Sequence, residues 1–215
     1  TATHLIRTNM LKNGKSLSDI TKWLCEKFAI EAKIIPVTDN TIETRVKTDE
    51  GEMHLQEFWV KHRGRNKVEG IQYIGSEKAR PSPEAINAIQ DSKLVIIAPA
   101  NPYTSIGPVL AIKAIRKELV KNRRKVVAIS PIIGSAALSG PAAKYMMSAG
   151  NEVSAYGVAK MYANVCSSIV IDTKDRMQTK KIEALNMHVY DTKIKMTNKK
   201  TEDALASFIL KQVNN

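Results

Sequence analysis

The chain has 215 residues, of which 43% are hydrophobic and 25% charged, a composition typical of a globular protein. Its 33 Lys and Arg outnumber its 21 Asp and Glu, so the formal net charge is +12. Positive charge of this size favours an anionic ligand or partner. No apolar run approaches the roughly 20 residues of a membrane helix, so no contact with a membrane is expected. Two cysteines are too few for a disulfide framework and show no zinc-binding spacing.

The start of the chain and the positions of its basic residues refine this picture. The first residue is Thr1 rather than Met, and no signal peptide is visible, so a processed chain or a fragment in the cytoplasm is expected. Basic residues gather in short groups at 61–67, 121–125 and 193–200. Aromatic residues are not interleaved with them as they are in single-strand-binding proteins. Nucleic acid is therefore kept only as an alternative to a phosphorylated metabolite.

Residues 1–30 predict two helices. Leu5, Ile6, Met10 and Leu11 form an apolar face on the first helix, and Ser16 or Ser18 can cap the second. On the first helix, His4 and Arg7 lie one turn apart. They form either a solvated face or a pair directed at an anion, and this segment leaves both interpretations open.

Residues 33–75 predict a β-rich segment. Runs of alternating apolar residues place strands at 33–37, 43–48, 52–62 and 68–74. The alternation slips by one residue between Leu55 and Phe58, which predicts a β-bulge near residues 56–57.

From residue 81 onward, strands alternate with helices, which predicts a doubly wound, mostly parallel sheet. Ser82, Pro83 and Glu84 make a good helix start. Strands are predicted at 94–98, 125–130, 168–172 and 187–190, and helices at 82–91, 109–121, 141–149, 154–165, 175–185 and from 201 to the end. We expect one α/β domain over 1–215, Rossmann-like, with a helical pair and a β-rich insert in residues 1–80 and a nucleotide-binding part in 81–215.

The strand at 94–98 is followed by a polar loop that contains Asn101, Thr104, Ser105 and Gly107. Ligands of open α/β sheets bind outside the carboxyl ends of strands, where helix starts offer free backbone N–H groups to anions. We interpret this loop as the centre of a phosphate site. Judged from this stretch alone, a plain connection from strand to helix explains it about equally well.

A second loop repeats the arrangement after the strand at 125–130. It contains Ser130, Gly134 and Gly140, and Lys144 follows about one helical turn later. Small residues let the backbone approach a ligand closely, and a lysine neutralises phosphate charge. Because loops from successive strands line one crevice, phosphate is expected between 101–107 and 130–144.

Several short motifs together resemble the 2-phospho-L-lactate transferase family. The most specific are Asn101-Pro-Tyr-Thr-Ser-Ile-Gly-Pro108, Ser130-Pro-Ile-Ile-Gly134 and Ser139-Gly-Pro-Ala142. Further matches are Thr3-His4 with Arg7, Thr38-Asp39, His54-Leu-Gln-Glu57, Gly157-Val-Ala159 and Val170-Ile-Asp172. The matches cover nearly the whole chain in the family's order.

The resemblance implies a magnesium-dependent transferase of coenzyme F-420 biosynthesis. Such an enzyme moves a phospholactyl or phosphoenolpyruvyl group from a guanosine-diphospho donor to the ribityl hydroxyl of the deazaflavin precursor FO, and releases GMP. His4, Arg7 and the residues of the two loops would bind the substrates. Asp39 and Glu57 are the acids within matching motifs that could deprotonate the acceptor hydroxyl, and aspartates of the family that this chain lacks are equally good choices.

The chain departs from the family at its front. The family's first strand, its Gly-Gly-Thr-Gly loop and an aspartate-rich stretch are absent, which implies a sheet incomplete at its N-terminal side, unassigned metal ligands and a chain inactive alone. A related family of gluconeogenesis factors shares the Tyr-Thr-Ser loop, so a non-catalytic regulator that binds nucleotides or nucleotide-sugars is the alternative. A homodimer is left open.

Overall fold

The structure, a computed structural model, describes residues 2–138 and 141–212 as an alternation of helices and short strands. The helices are α1 (Ala2–Lys12), α2 (Leu17–Lys27), α3 (Pro83–Asp91), α4 (Ile106–Ala111), α5 (Lys113–Lys121), α6 (Ala142–Ser148), α7 (Ala155–Tyr162), α8 (Thr179–Glu183) and α9 (Lys199–Gln212). The strands are β1 (Glu43–Thr48), β2 (Gly51–His54), β3 (Val68–Ile74), β4 (Val95–Ile97), β5 (Val126–Ile129), β6 (Ile132–Ile133), β7 (Ala136–Ala137), β8 (Ser168–Asp172) and β9 (His188–Thr192). A π-helix spans Glu57–Lys61, and 3-10 helices span Arg123–Lys125 and Thr173–Gln178.

The main sheet is parallel, with the strand order β4-β5-β8-β9. Every residue of the two central strands, β5 and β8, is buried. Their near-continuous apolar runs are what a parallel sheet covered on both faces requires. The predicted α/β class with a Rossmann-like parallel sheet is therefore confirmed.

Residues that alternate along β5 pack into cores on opposite faces of the sheet. Val126 and Ala128 join a large core with residues of α5, α7 and α8, whereas Val127 and Ile129 pack against α9. A fully buried valine or isoleucine side chain contributes about 1.5–3 kcal/mol relative to an exposed one. Helices on both faces thus hold the strand ends in place, and the site depends on where those ends lie.

The β-rich segment forms a separate antiparallel sheet with the order β2-β1-β3. Two predictions for this segment are wrong. Residues 33–37 form no strand, because they pair with no neighbouring strand. The predicted strand at 52–62 ends at His54 and is followed by the π-helix rather than by a bulge. That helix buries Phe58 completely and leaves Trp59 46% exposed.

The N-terminal helical pair is present but differs in its packing. Ser16 caps α2 and forms a capping box with Asp19, and Ile20 is buried. Helix α1 has no buried residue, so its predicted apolar face is exposed, with Leu5 at 69%. Within the described residues, no helix has the length and apolar character needed to cross a membrane.

Most predicted elements of the α/β part form, with changed boundaries. Ser82 caps α3 as expected. The predicted continuous helix at 109–121 begins earlier, at Ile106, and breaks at Ile112, whose backbone is extended. The helix predicted at 175–185 is a 3-10 helix that leads into α8.

The two sheets are joined where Tyr73 of β3 reaches the start of α4. Its hydroxyl donates to the carbonyl oxygen of Tyr103 at 2.6 Å, and the Tyr103 hydroxyl accepts from the Asn151 amide at 2.7 Å. A Cβ atom on Gly107 would overlap the Tyr73 hydroxyl and lie 2.7 Å from its Cζ. Gly107 is therefore required by packing against Tyr73.

We expect Gly107→Ala to lower the free energy of unfolding by about 1–3 kcal/mol, as overpacking does. Tyr73→Phe in the same chain removes the overlapping oxygen, so the double variant should lose less than the sum of the two single losses. Urea denaturation of the four proteins measures this coupling. Gly70→Ala is the matched control, since its Cβ would meet nothing within 4 Å. Strict additivity would contradict the contact.

Candidate functional site

A cleft of about 370 Å³ lies between the antiparallel sheet and the carboxyl end of β4. Three groups of residues line it: those at the end of β2 and in the π-helix, those in the loop between β4 and α4, and those at the start of α6. They are Leu55, Gln56, Trp59, Pro99, Ala100, Asn101, Thr104, Ser105, Pro141 and Tyr145. No side chain in this lining is charged. Asn101, Thr104 and Ser105, which the sequence predicted to bind phosphate, lie in this lining, and their binding role stays a prediction.

In the loop between β4 and α4, the backbone N–H groups are used internally. The N–H groups of Tyr103 and Thr104 donate to Asn101 Oδ1 at 3.0 and 3.3 Å. Those of Ser105 and Ile106 donate to the Asn101 carbonyl at 3.0 and 3.1 Å. A phosphate would have to displace these bonds. The side-chain hydroxyls of Thr104 and Ser105 have no hydrogen-bond partner among the described residues, so they are the groups free to bind a ligand.

The second loop is also held by internal contacts. The Ser130 hydroxyl is buried and exchanges hydrogen bonds with the backbone of Ile132 at 3.0 and 3.1 Å. The Gly134 N–H, at a φ of +62°, donates to both carboxylate oxygens of Asp175, at 3.0 and 3.1 Å. Neither Ser130 nor Gly134 lines the cleft. Gly140 lies outside the described residues.

Asp175 takes the place that a ligand anion was expected to have at Gly134. Its side chain is 1% exposed, and burial raises the pKa of this carboxyl group while the Gly134 N–H opposes that shift. The Gln178 amide also donates to Asp175, at 3.0 Å. The carboxylate therefore fixes the loop from within the protein.

Lys144 does not line the cleft. Its ammonium donates to the carbonyl oxygens of Gly64 at 2.5 Å and Arg65 at 3.5 Å. The turn that it holds contains two residues with left-handed backbones, Arg63 at a φ of +54° and Gly64 at +63°. In this structure, Lys144 stabilises a turn instead of facing a phosphate position, and its contact with phosphate stays a prediction.

The remaining predicted site residues lie outside the cleft lining. His4 and Arg7 are exposed on α1, and neither has a hydrogen bond or ion pair with another described residue. Asp39 accepts from the Ser18 N–H at 2.8 Å. Glu57 pairs with Lys61 at 3.0 Å. The hydrogen bond and charge of Lys61 hold the pKa of Glu57 below its usual value, which weakens it as a base, and both catalytic assignments stay predictions.

Tyr145 is a cleft residue that the sequence did not reveal. Its side chain is 1% exposed, and its hydroxyl has no hydrogen-bond partner within the described part of the chain. Burial raises its pKa to about 12, so the group stays a neutral donor at physiological pH. A buried hydroxyl left unpaired costs about 1–3 kcal/mol. The hydroxyl oxygen is itself inaccessible, so a ligand oxygen would remove that cost only if the cleft wall shifted to expose it.

Trp59 and Gln56 complete the open side of the cleft. The Trp59 ring packs over Gly64, where a Cβ atom would lie 2.7 Å from ring atom Cζ3. The Gln56 side chain is exposed and makes no hydrogen bond to another described residue. The cleft lining thus offers one exposed aromatic ring, two side-chain amides and three hydroxyls, and no charged group. Such a lining suits a flat, neutral, hydroxylated molecule better than a diphosphate.

The cleft does not fit a magnesium ion held by side chains of this chain. Mg²⁺ is bound mainly through carboxylates, waters and substrate phosphates, and no carboxylate lines the cleft. Residues 2–138 and 141–212 contain no group of three or more His, Cys, Asp or Glu side chains placed to hold a metal.

Comparisons with known proteins identify relatives over nearly the whole chain. The family model described as 2-phospho-L-lactate transferase CofD matches residues 1–209. A 2-phospho-L-lactate transferase of Methanosarcina mazei is 40% identical over 97% of this chain and 68% of its own length. That of Methanocaldococcus jannaschii is 42% identical over 82% of this chain and 57% of its own. A phosphoenolpyruvate transferase of Streptomyces griseus is 33% identical over 95% and 66%. The chain spans about two thirds of the length of most of these relatives.

Solved structures support the fold. A crystal structure of a Bacillus halodurans protein of the upf0052 family superimposes with a TM-score of 0.65, covering 94% of this chain and 70% of that one. Sequence identity is 14%, so the likeness concerns the fold alone.

We expect Lys144→Ala to lower the free energy of unfolding by about 1–3 kcal/mol, because the carbonyl oxygen of the buried Gly64 loses a charged donor. Urea denaturation measures this loss, and calorimetric titration with GDP is run in parallel. A loss of GDP affinity of about tenfold or more, which corresponds to about 1.4 kcal/mol, would show instead that Lys144 contacts phosphate as the sequence suggested. Lys113→Ala, at an exposed lysine of α5, controls for the change in charge.

Proposed function

Because the chain belongs to the 2-phospho-L-lactate transferase CofD family of coenzyme F-420 biosynthesis, we propose that it takes part in transfer of a 2-phospho-L-lactyl or phosphoenolpyruvyl group to the deazaflavin precursor FO. In this proposal the donor is a guanosine-diphospho compound, and GMP is released. The observation that carries the proposal is the uncharged cleft with the unpartnered Tyr145 hydroxyl at its wall. A cytoplasmic location and a homodimer stay expectations.

The cleft is proposed as the acceptor site. FO combines a flat ring system with a polyhydroxylated ribityl chain, and the cleft combines the Trp59 ring with free hydroxyls. Stacking on an aromatic side chain favours the ring. Hydroxyls of Tyr145, Thr104 and Ser105 would then bind the ribityl oxygens. The lack of charge in the lining is consistent with a neutral acceptor.

The proposed chemistry is displacement at phosphorus. The acceptor hydroxyl oxygen forms a bond to the phosphorus that carries the three-carbon acid, the bond from this phosphorus to the bridging oxygen breaks, and GMP leaves with the electron pair. The hydroxyl proton passes to a base, for which Asp39 and Glu57 stay predictions. Such transfers depend on positioning and on neutralisation of phosphate charge. Since the cleft lining holds no cation, the donor phosphates are proposed to lie outside it, and their expected place between 101–107 and 130–144 stays a prediction.

Magnesium stays part of the proposal as a requirement of the reaction. When bound, Mg²⁺ would neutralise the donor phosphates. This chain's own contribution is to hold the acceptor and to exclude water from it.

We expect this chain to bind FO but not to turn it over. The assay compares it with an N-terminally extended version, in the presence of the guanosine-diphospho donor, FO and Mg²⁺, and with EDTA as the metal control. The reason is that the cleft holds no cation for the donor phosphates. Comparable turnover by both proteins would contradict this account. Binding of UDP-sugars without transfer by either protein would favour the regulator alternative.

We expect Tyr145→Phe to weaken FO binding by about 2–10-fold, the worth of one hydrogen bond of about 0.5–1.5 kcal/mol. Fluorescence titration of FO measures the change. Tyr162→Phe is the matched control, because the Tyr162 hydroxyl is also buried and unpartnered within the described residues but lies outside the cleft. Neither variant should lose stability, since neither loses a hydrogen bond. Equal effects on FO binding would place the acceptor elsewhere.

A further inference from the structure

A second and larger cavity, of about 750 Å³, lies at the carboxyl ends of β8 and β9 and borders the first turn of α9. It shares no lining residue with the cleft, and β5 lies between β4 and β8 in the sheet. Its volume falls within the range of about 300–1,000 Å³ typical of ligand pockets. The proposed transfer reaction assigns no role to it.

The two carboxylates that border this cavity are already bonded within the protein. Asp191 accepts from the Arg176 guanidinium at 2.5 and 3.1 Å. Asp172 is 5% exposed, and its two oxygens accept from the N–H groups of Lys174 at 3.1 Å and Ile194 at 3.2 Å. Neither carboxylate is therefore paired with a lysine ammonium.

Three lysines line the same cavity without a counter-charge of their own. The ammonium groups of Lys174, Lys193 and Lys195 have no hydrogen bond or ion pair with any residue in the described ranges, and all three side chains are exposed. Positive charge gathered around one concave surface raises the local concentration of anions. With four basic and two acidic side chains in its lining, the cavity has a net positive charge of two.

The backbone that carries two of these lysines is fixed. Ile194 is fully buried against α9, and its N–H bond to Asp172 ties it to the end of β8. Lys193 and Lys195 flank it. Thr201 Oγ1 accepts from the N–H groups of Thr197 and Asn198 at 2.9 and 3.1 Å. The cavity wall is therefore organised before any ligand arrives, which lowers the entropy cost of binding.

The cavity also has an apolar side. Ile133 after β5 and Ala204 and Leu205 of α9 contribute to its lining, and Leu205 belongs to the core on that face of the sheet. An inorganic anion would leave this apolar surface unused. A ligand with a multiply charged end and a flat organic part would contact both sides.

From this combination we propose that the cavity at the ends of β8 and β9 binds a nucleoside polyphosphate. The phosphates lie against Lys174, Lys193 and Lys195, and the base lies against Ile133 and Leu205. The inference is independent of the transfer reaction, because the residues that line this cavity are not those that line the cleft. Failure of FO turnover would leave it standing.

To test this, the full chain is titrated with ATP, inorganic pyrophosphate and an RNA oligomer. Calorimetry measures the affinities, and changes in amide NMR shifts locate the site. ATP is chosen because a guanine nucleotide could occupy the proposed donor site. The variant is Lys193→Ala/Lys195→Ala, and the matched control is Lys113→Ala/Lys117→Ala, which removes the same charge from exposed positions on α5. Circular dichroism and FO titration verify that the variants keep their fold and cleft.

We expect ATP to shift amides at 172–176 and 192–201 and to bind more tightly than pyrophosphate. The Lys193→Ala/Lys195→Ala variant should lose at least about tenfold in ATP affinity, since it loses two charged contacts to phosphate, and the control should lose little. Absence of shifts at these residues would overturn the proposal, as would equal affinities in variant and control. Equal binding of ATP and pyrophosphate would overturn the nucleoside part. Binding of RNA alone would identify a nucleic-acid surface instead.

Discussion

The packing of Tyr73 against Gly107 is the contact on which the rest of the site depends. It joins the antiparallel sheet to the start of α4, and its hydrogen bond to Tyr103 continues to Asn151. The cleft lies beside this joint and takes its lining from both sheets. A shift of one sheet relative to the other would open or close the cleft. Because Gly107 has no side chain, Tyr73 can pack against it, and this contact sets the geometry of a cleft built from three segments.

Sequence patterns predicted the parallel sheet well because burial on both faces leaves a clear signal. The strand at 168–172 has the predicted bounds, and β5 differs from its prediction only by the loss of one residue at each end. The π-helix could not be predicted in this way. Phe58 and Val60 have the spacing of residues on one face of a strand, yet Phe58 is fully buried and Val60 is 72% exposed. Local alternation does not reveal which partner a side chain packs against.

Part of the candidate site could also be predicted. The rest could not, because the residues that contact each other there lie far apart in the chain. Asn101, Thr104 and Ser105 were singled out because strand ends in α/β sheets carry ligand-binding loops; they do line the cleft, and their binding role stays a prediction. The contacts of Lys144 and Gly134 were not, because their partners, Gly64 and Asp175, lie 80 and 41 residues away. A motif indicates which groups are available for phosphate but not which internal acceptors compete for them. Tyr145 was missed for a different reason: its hydroxyl has no partner within the described residues, and a missing hydrogen bond cannot be seen in a sequence.

The π-helix places two consecutive aromatic residues in different surroundings, Phe58 in the core and Trp59 at the cleft. Such helices contain one more residue per hydrogen-bonded turn than an α-helix. A deletion of one codon between Glu57 and Lys61 would restore an ordinary turn and rotate one of the two rings out of its place. Homologues that keep both rings should therefore keep the length of this segment even where its other residues drift. Insertions and deletions in this segment, more than substitutions, would therefore distinguish homologues that lack this cleft.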